Sequence, residues 1–99
     1  MTTLDAQARP RRRLGIWLRR QGDLVQVGYR DTAVELSDTA LMLFENADGD
    51  RTLGQLADLL VTEYGISPEE ALADTAEFID SMIERRLMAI ATDDASPTP

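Results

Sequence analysis

Carboxylates and hydroxyls are the side chains with which this chain could do chemistry, because its 99 residues include neither cysteine nor histidine. That composition leaves out disulfides, thiolate nucleophiles, zinc sites of the usual kind and every triad built on an imidazole base. Carboxylates alone can still hold a hard cation or move protons, so their spacing is the first question. Asn46, Asp48 and Gly49 are spaced in the manner of a calcium-binding loop. With Gly49 in the glycine position, however, the first ligand falls on Phe44 and the bidentate glutamate on Gln55. Two essential ligands are wrong, and the segment reads as a turn followed by a helix cap. Asp48 and Asp50 are left as the carboxylates on which a minor enzymatic reading rests. No cofactor and no metal are expected.

Asp80-Ser81-Met82 is spelled much like the Asp-Ser-Leu of acyl carrier proteins, in which the serine opens a helix and two more helical segments follow. Here Ser81 falls well inside a capped helix, with eighteen residues after it. A domain this small without cysteine or histidine is a binding module before it is an enzyme.

The charge distribution narrows the partners. All ten basic residues are arginine, and the net charge is −8. Residues 1–22 carry +5, from six arginines against Asp5, whereas residues 23–99 carry −13. An acidic body disfavours nucleic acid and favours a ligand with some basic character. At 43% hydrophobic and 28% charged, the chain suits one soluble globular domain. No apolar run reaches the ~18 residues of a membrane span. The N-terminal charges lack the apolar stretch of a secretory signal, so cytoplasmic residence without membrane contact is the expectation. The organisation expected is a flexible basic arm over residues 1–11, one domain over 12–91 and a disordered tail over 92–99.

The elements that must position any site follow from periodicity. Leu14, Ile16 and Leu18, then Val25, Val27 and Tyr29, then Val34 and Leu36 alternate with polar or small residues. Gln21-Gly22-Asp23 and Arg30-Asp31 supply turns between the runs. Three antiparallel strands in a meander are predicted. Ser37 then caps a helix to about Ala47, apolar nearly all round at Ala40–Phe44 and hence expected in the middle of the domain. Thr52 and Gln55 form a capping box for a second helix that Gly65 stops. Ser67, Pro68 and Glu70 start a third, running to about Arg86. The fold class is α+β: a three-stranded antiparallel sheet followed by three helices, like a winged helix-turn-helix. A DNA-reading role is disfavoured, since Ser67–Leu87 holds six acids against two arginines. A winged-helix regulatory or protein-interaction domain is the alternative function.

On the third helix, Leu72, Ala76, Ile79 and Ile83 fall in a narrow stripe expected to face the core, with Thr75 beside it. Ala71, Phe78 and Met82 widen the apolar arc to roughly 160°, beyond what a core-facing helix needs, and Asp74 and Arg85 flank it. The widening fits either a thicker core or a second apolar surface. The third strand, Thr32, Ala33, Val34, Glu35 and Leu36, lies at a sheet edge without proline or lysine, the kind of edge to which a peptide strand can add. Edge and helix flank, the latter with Ala71, Asp74, Thr75, Phe78, Met82 and Arg85, together form a groove for an extended peptide.

The run Val34–Leu60, VELSDTALMLFENADGDRTLGQLADLL, resembles the PqqD-like family, the RiPP recognition elements. The matching features are Leu36-Ser37 at the strand end, Thr39-Ala40 in the first helix, then Asp48-Gly49-Asp50-Arg51-Thr52 and Leu56. The continuation EYGISPEEALADTAEFIDSMIERRLM matches the family's ending, so the likeness spans about residues 12–90. Ser37 replaces a common asparagine. Arg86 stands where many members have glycine, which predicts that the helix runs on into Leu87-Met88. The resemblance implies a protein without catalytic activity of its own. Such a protein holds a precursor's leader peptide as an antiparallel strand on the third strand, packed on the third helix. It then delivers that precursor to a modifying enzyme: a radical-SAM enzyme, a leader peptidase or a cyclase. Carried over, Thr32–Leu36 meet the peptide backbone, Phe78 and Met82 form a side-chain pocket, and Asp74 and Arg85 form its polar rim. Homodimer formation is left open.

Overall fold

The structure, a computed structural model, describes residues 5–91. Its elements are β1 (Arg9–Arg12), β2 (Trp17–Gln21), β3 (Leu24–Tyr29), β4 (Thr32–Leu36), α1 (Asp38–Asn46), α2 (Leu53–Tyr64), α3 (Pro68–Glu84) and β5 (Met88–Ala91). Strands β2, β3 and β4 form the expected antiparallel meander, in that order. Both of its hairpins have two-residue loops, because Gln21 pairs with Leu24 and Tyr29 with Thr32. Each loop turns on a positive φ at its first residue, Gly22 at 59° and Arg30 at 57°, which matches the right-handed strand twist. Gly28, opposite Trp17, is required by close approach: a Cβ there would fall inside the indole and against the Thr32 carbonyl.

The arm expected over residues 1–11 is corrected. Arg9–Arg12 pair with Ala91–Met88 as a separate two-stranded ribbon. Ahead of that strand, the carbonyls of Ala8 and Ala6 accept the amides of Leu53 and Gly54, at 2.7 and 2.9 Å. These are first-turn donors of α2, which have no partner within their own helix. At the other end of α1, the Arg12 guanidinium donates to the Phe44 and Glu45 carbonyls at 2.8 and 2.7 Å. The basic segment thus satisfies two helix ends. Its sequence, Arg-Pro-Arg-Arg, carries no alternation by which a strand could be read. The tail expected over residues 92–99 lies outside the described residues, as do residues 1–4.

The helix starts are where their caps predict. Ser37, Thr52 and Ser67 accept the amides of Ala40, Gln55 and Glu70 through their hydroxyls, and Gln55 completes its box on the Thr52 amide. Helix α1 is less central than its all-round apolar sequence suggests. Leu43 and Phe44 are buried, whereas Ala40, Leu41 and Met42 are half-buried at the core's margin. The core runs through Val27, Leu36, Leu43, Leu53, Leu56, Leu60, Ile79, Met82, Leu87 and Met88.

Helix α3 differs from expectation in two ways. It stops at Glu84 rather than running into Leu87-Met88. Arg86 takes φ 65°, its amide reaches the Ile83 carbonyl at 3.0 Å, and the Leu87 amide reaches the Met82 carbonyl at 2.9 Å. This is the Schellman pair of bonds, with buried Leu87 closing the hydrophobic contact. Arginine occupies a left-handed position that glycine takes at no steric cost, at a penalty of roughly 1–2 kcal/mol. The helix is also rotated from the predicted face. Ala71, Thr75, Ile79 and Met82 are its buried residues, while Leu72 is 37% exposed and Ala76 and Ile83 are half-buried.

Candidate functional site

The candidate site is built on β4. With Tyr29 and Thr32 closing a two-residue hairpin, the pairs Tyr29–Thr32, Val27–Val34 and Val25–Leu36 exchange backbone hydrogen bonds. The amides and carbonyls of Ala33 and Glu35 therefore point away from β3, toward the open edge. Strand order leaves that edge without a strand partner among the described residues. The side chains alternate: Thr32, Val34 and Leu36 turn toward the helices, and Ala33 and Glu35 are exposed on the opposite face.

The residues predicted on α3 divide. Ala71 and Thr75 are 0% exposed and Met82 is 1% exposed, so these three are core residues with no surface for a ligand in this conformation. The buried face lies one flank round from the expected one, because periodicity fixes the width of a stripe and not which part of it meets the body. Thr75 also carries a buried hydroxyl without a hydrogen-bond partner, a cost for a core position. Phe78 is half-buried against the core, and Asp74 and Arg85 are exposed. Arg85 and Thr32, distant in sequence, line one cleft.

That cleft, about 380 Å³, is walled by Arg13, Tyr29, Arg30, Asp31, Thr32, Arg85 and Arg86. Three internal segments converge on it: the Arg30-Asp31 turn, the Schellman turn of α3, and Arg13 just after β1, whose amide donates to the Leu87 carbonyl at 3.1 Å. The guanidinium carbons of Arg13 and Arg30 lie 5.2 and 5.4 Å from the Tyr29 ring centre, within cation–π range. Arg30 foremost, and Arg13 with it, hold the Tyr29 phenol below its ordinary 10.0 by hydrogen bonding and charge. Arg13, Tyr29, Arg30 and Arg86 are not among the peptide-binding residues expected from the sequence. Their only signal was charge, spread over positions 13, 30, 85 and 86.

The Asp48 segment is a turn. One Asp48 carboxylate oxygen accepts the amides of Asp50 and Arg51, each at 3.0 Å, and the other meets the Arg51 guanidinium at 3.0 Å. The Arg51 amide first, then that of Asp50, lowers its pKa below the ordinary 3.8. Both oxygens are thus engaged locally, which leaves Asp48 a structural role. No group of three acidic residues among the described residues is placed to hold a metal.

Comparison with known proteins converges on one group. Residues 24–88 match the family profile of coenzyme PQQ synthesis protein D (PqqD). A protein of Xanthomonas axonopodis pv. citri named PqqA binding protein is 30% identical over 92 residues, covering 91% of this chain and all of the relative. Among solved structures, a lasso peptide synthetase B1 complexed with its leader peptide superposes with a TM-score of 0.72 at 20% identity, covering 83% of this chain and 99% of that one. The PqqD portion of Methylobacterium extorquens PqqCD, described as a stand-alone RiPP recognition element, gives 0.69 at 23% identity, covering 81% and 87%. At these identities the structural matches establish the fold.

Proposed function

Because this chain belongs to the PqqD family, we propose that it is a non-catalytic recognition protein that holds the leader of a ribosomally made precursor peptide as an added strand on β4. The observation that carries this reading is the open outer edge of β4, with the Ala33 and Glu35 backbone groups facing outward and Thr32 sharing a cleft with Arg85 at the end of α3. A strand added there gains main-chain hydrogen bonds, and its inward side chains meet apolar surface. The relative named for binding PqqA and the leader-bound synthetase of the same fold support a peptide ligand. The second partner is the enzyme that modifies the precursor: a radical-SAM enzyme, a leader peptidase or a cyclase. The site of action is cytoplasmic, and no helix among the described residues is long and apolar enough to cross a membrane. On this reading the scaffold is winged-helix-like but turned to peptide rather than DNA, since α3 carries Glu69, Glu70, Asp74, Glu77, Asp80 and Glu84.

Hydrogen exchange tests the reading. A synthetic peptide spanning the leader of a PqqA-type precursor is expected to slow the Ala33 and Glu35 amides. The outward amides of β2 should continue to exchange as before. Fast exchange at Ala33 and Glu35 under saturating peptide rules out strand addition at β4.

A further inference from the structure

The arginine cleft abuts the start of β4, where Thr32 is part of its wall. In an acidic protein it is a local inversion of charge: four guanidinium groups, from Arg13, Arg30, Arg85 and Arg86, against one carboxylate, Asp31. None of the four arginines is ion-paired with a carboxylate among the described residues. A second observation is independent of charge. Among the described residues, the only non-glycine positions with positive φ are Arg30 and Arg86, and both line this cleft. Glycine would relieve the backbone at each turn, yet both carry the residue type that walls the cleft. Strain retained at two converging turns is the mark of a side chain with a task.

We propose that this cleft receives carboxylate side chains of the captured peptide. The inference rests on strand addition at β4 and specifies its ligand. An antiparallel strand runs from the Leu36 end of β4 toward Thr32, so the residues entering the cleft are those just C-terminal to the bound strand. Guanidinium forks take carboxylates in paired hydrogen bonds. The peptide is therefore apolar along β4 and carries Asp or Glu where it leaves the sheet. Overall charge had pointed to a basic ligand; the charge beside the edge is of the opposite sense.

The test is a displayed library of random peptides selected on the whole protein, on an Arg85→Glu/Arg86→Glu variant and on Arg86→Gly. Wild type should enrich Asp and Glu after an apolar strand-forming segment, and the double charge reversal should enrich Lys and Arg there. Arg86→Gly keeps the left-handed turn while deleting one guanidinium. It should bind the acidic peptides roughly tenfold more weakly while melting no lower than wild type, a split that a purely structural role does not produce. Peptides that protect the β4 amides but show no acidic preference overturn the cleft proposal and leave strand capture standing. An acidic preference surviving the charge reversal also overturns it. Failure to select any peptide that protects β4 removes the capture reading and the cleft's ligand with it.

Discussion

β2 and β4 are the two edges of one sheet, and the helical layer backs only one of them. On β2, Leu18 shares the inner face with Val27, its cross-strand partner, yet it is 46% exposed because the strand overhangs the core. Its outer face is closed by Trp17 over Gly28, with the Arg19 guanidinium 5.5 Å above the indole. Arg19 and Arg20 leave it a charged edge of the kind that resists pairing. On β4 the inward residues pass from half-buried Thr32 and Val34 to buried Leu36, all turned toward the helical layer. A strand added to β2 would face water on both sides. One added to β4 would cover apolar surface and end at the arginine cleft. Backbone hydrogen bonds to a new strand replace bonds to water and contribute only about 1 kcal/mol each, so an open edge becomes a binding site where side-chain burial adds to them.

Blocking one edge at a time tests the contrast most severely. Glu35→Pro removes an outward N–H from β4 while sparing the β3 ladder, leaves a peptide carbonyl buried without a partner and sets a ring against the added strand, and should weaken leader binding by roughly 3 kcal/mol. Arg20→Pro makes the equivalent change on β2, where Arg20 is likewise an outward-facing position, and should leave binding unchanged by calorimetry. Equal losses from the two would erase the distinction between the edges. A smaller effect is expected on the helix flank. Phe78→Ala should cost about 1–3 kcal/mol of binding if the ring anchors the peptide, whereas Leu72→Ala on the opposite flank should cost none. Unchanged affinity in a folded Phe78→Ala protein removes Phe78 from the site.

At the end of the groove, Arg86→Gly should raise unfolding stability by about 1 kcal/mol, read from denaturant midpoints, because glycine relieves the left-handed strain. A loss of stability would mean that the guanidinium contributes to the fold itself. The smallest effect lies away from both edges. Asp48 has a folded pKa below its ordinary 3.8, so its contribution is present above that value and is lost as pH falls through the lowered pKa. Asp48→Asn should therefore flatten that part of the acid-unfolding curve while leaving leader binding at neutral pH unaltered.

What was legible in the sequence was local. The hydroxyls of Ser37, Thr52 and Ser67 reach amides three residues on, and the two hairpins close over two residues, so a short window contains the whole interaction. The absence of cysteine and histidine, and the engagement of Asp48 by its own turn, are of the same kind. Helix α3 shows where that reasoning ends: its apolar arc was visible, but its orientation depended on α2 and the sheet, and the rotation carried Ala71, Thr75 and Met82 into the core. It also stops at Glu84, because a left-handed arginine at position 86 is a rare state that the Ile83 and Met82 carbonyls and buried Leu87 stabilise.

The sequence by itself determined the order of the three meander strands and the three helices, their caps and turns, and the absence of imidazole and thiol chemistry, since each is settled within a few residues or by composition. Tertiary structure alone decided the β1–β5 ribbon, the face of α3 and the arginine cleft beside β4. Each of these joins segments tens of residues apart, and which segments meet is set by how the whole apolar core packs.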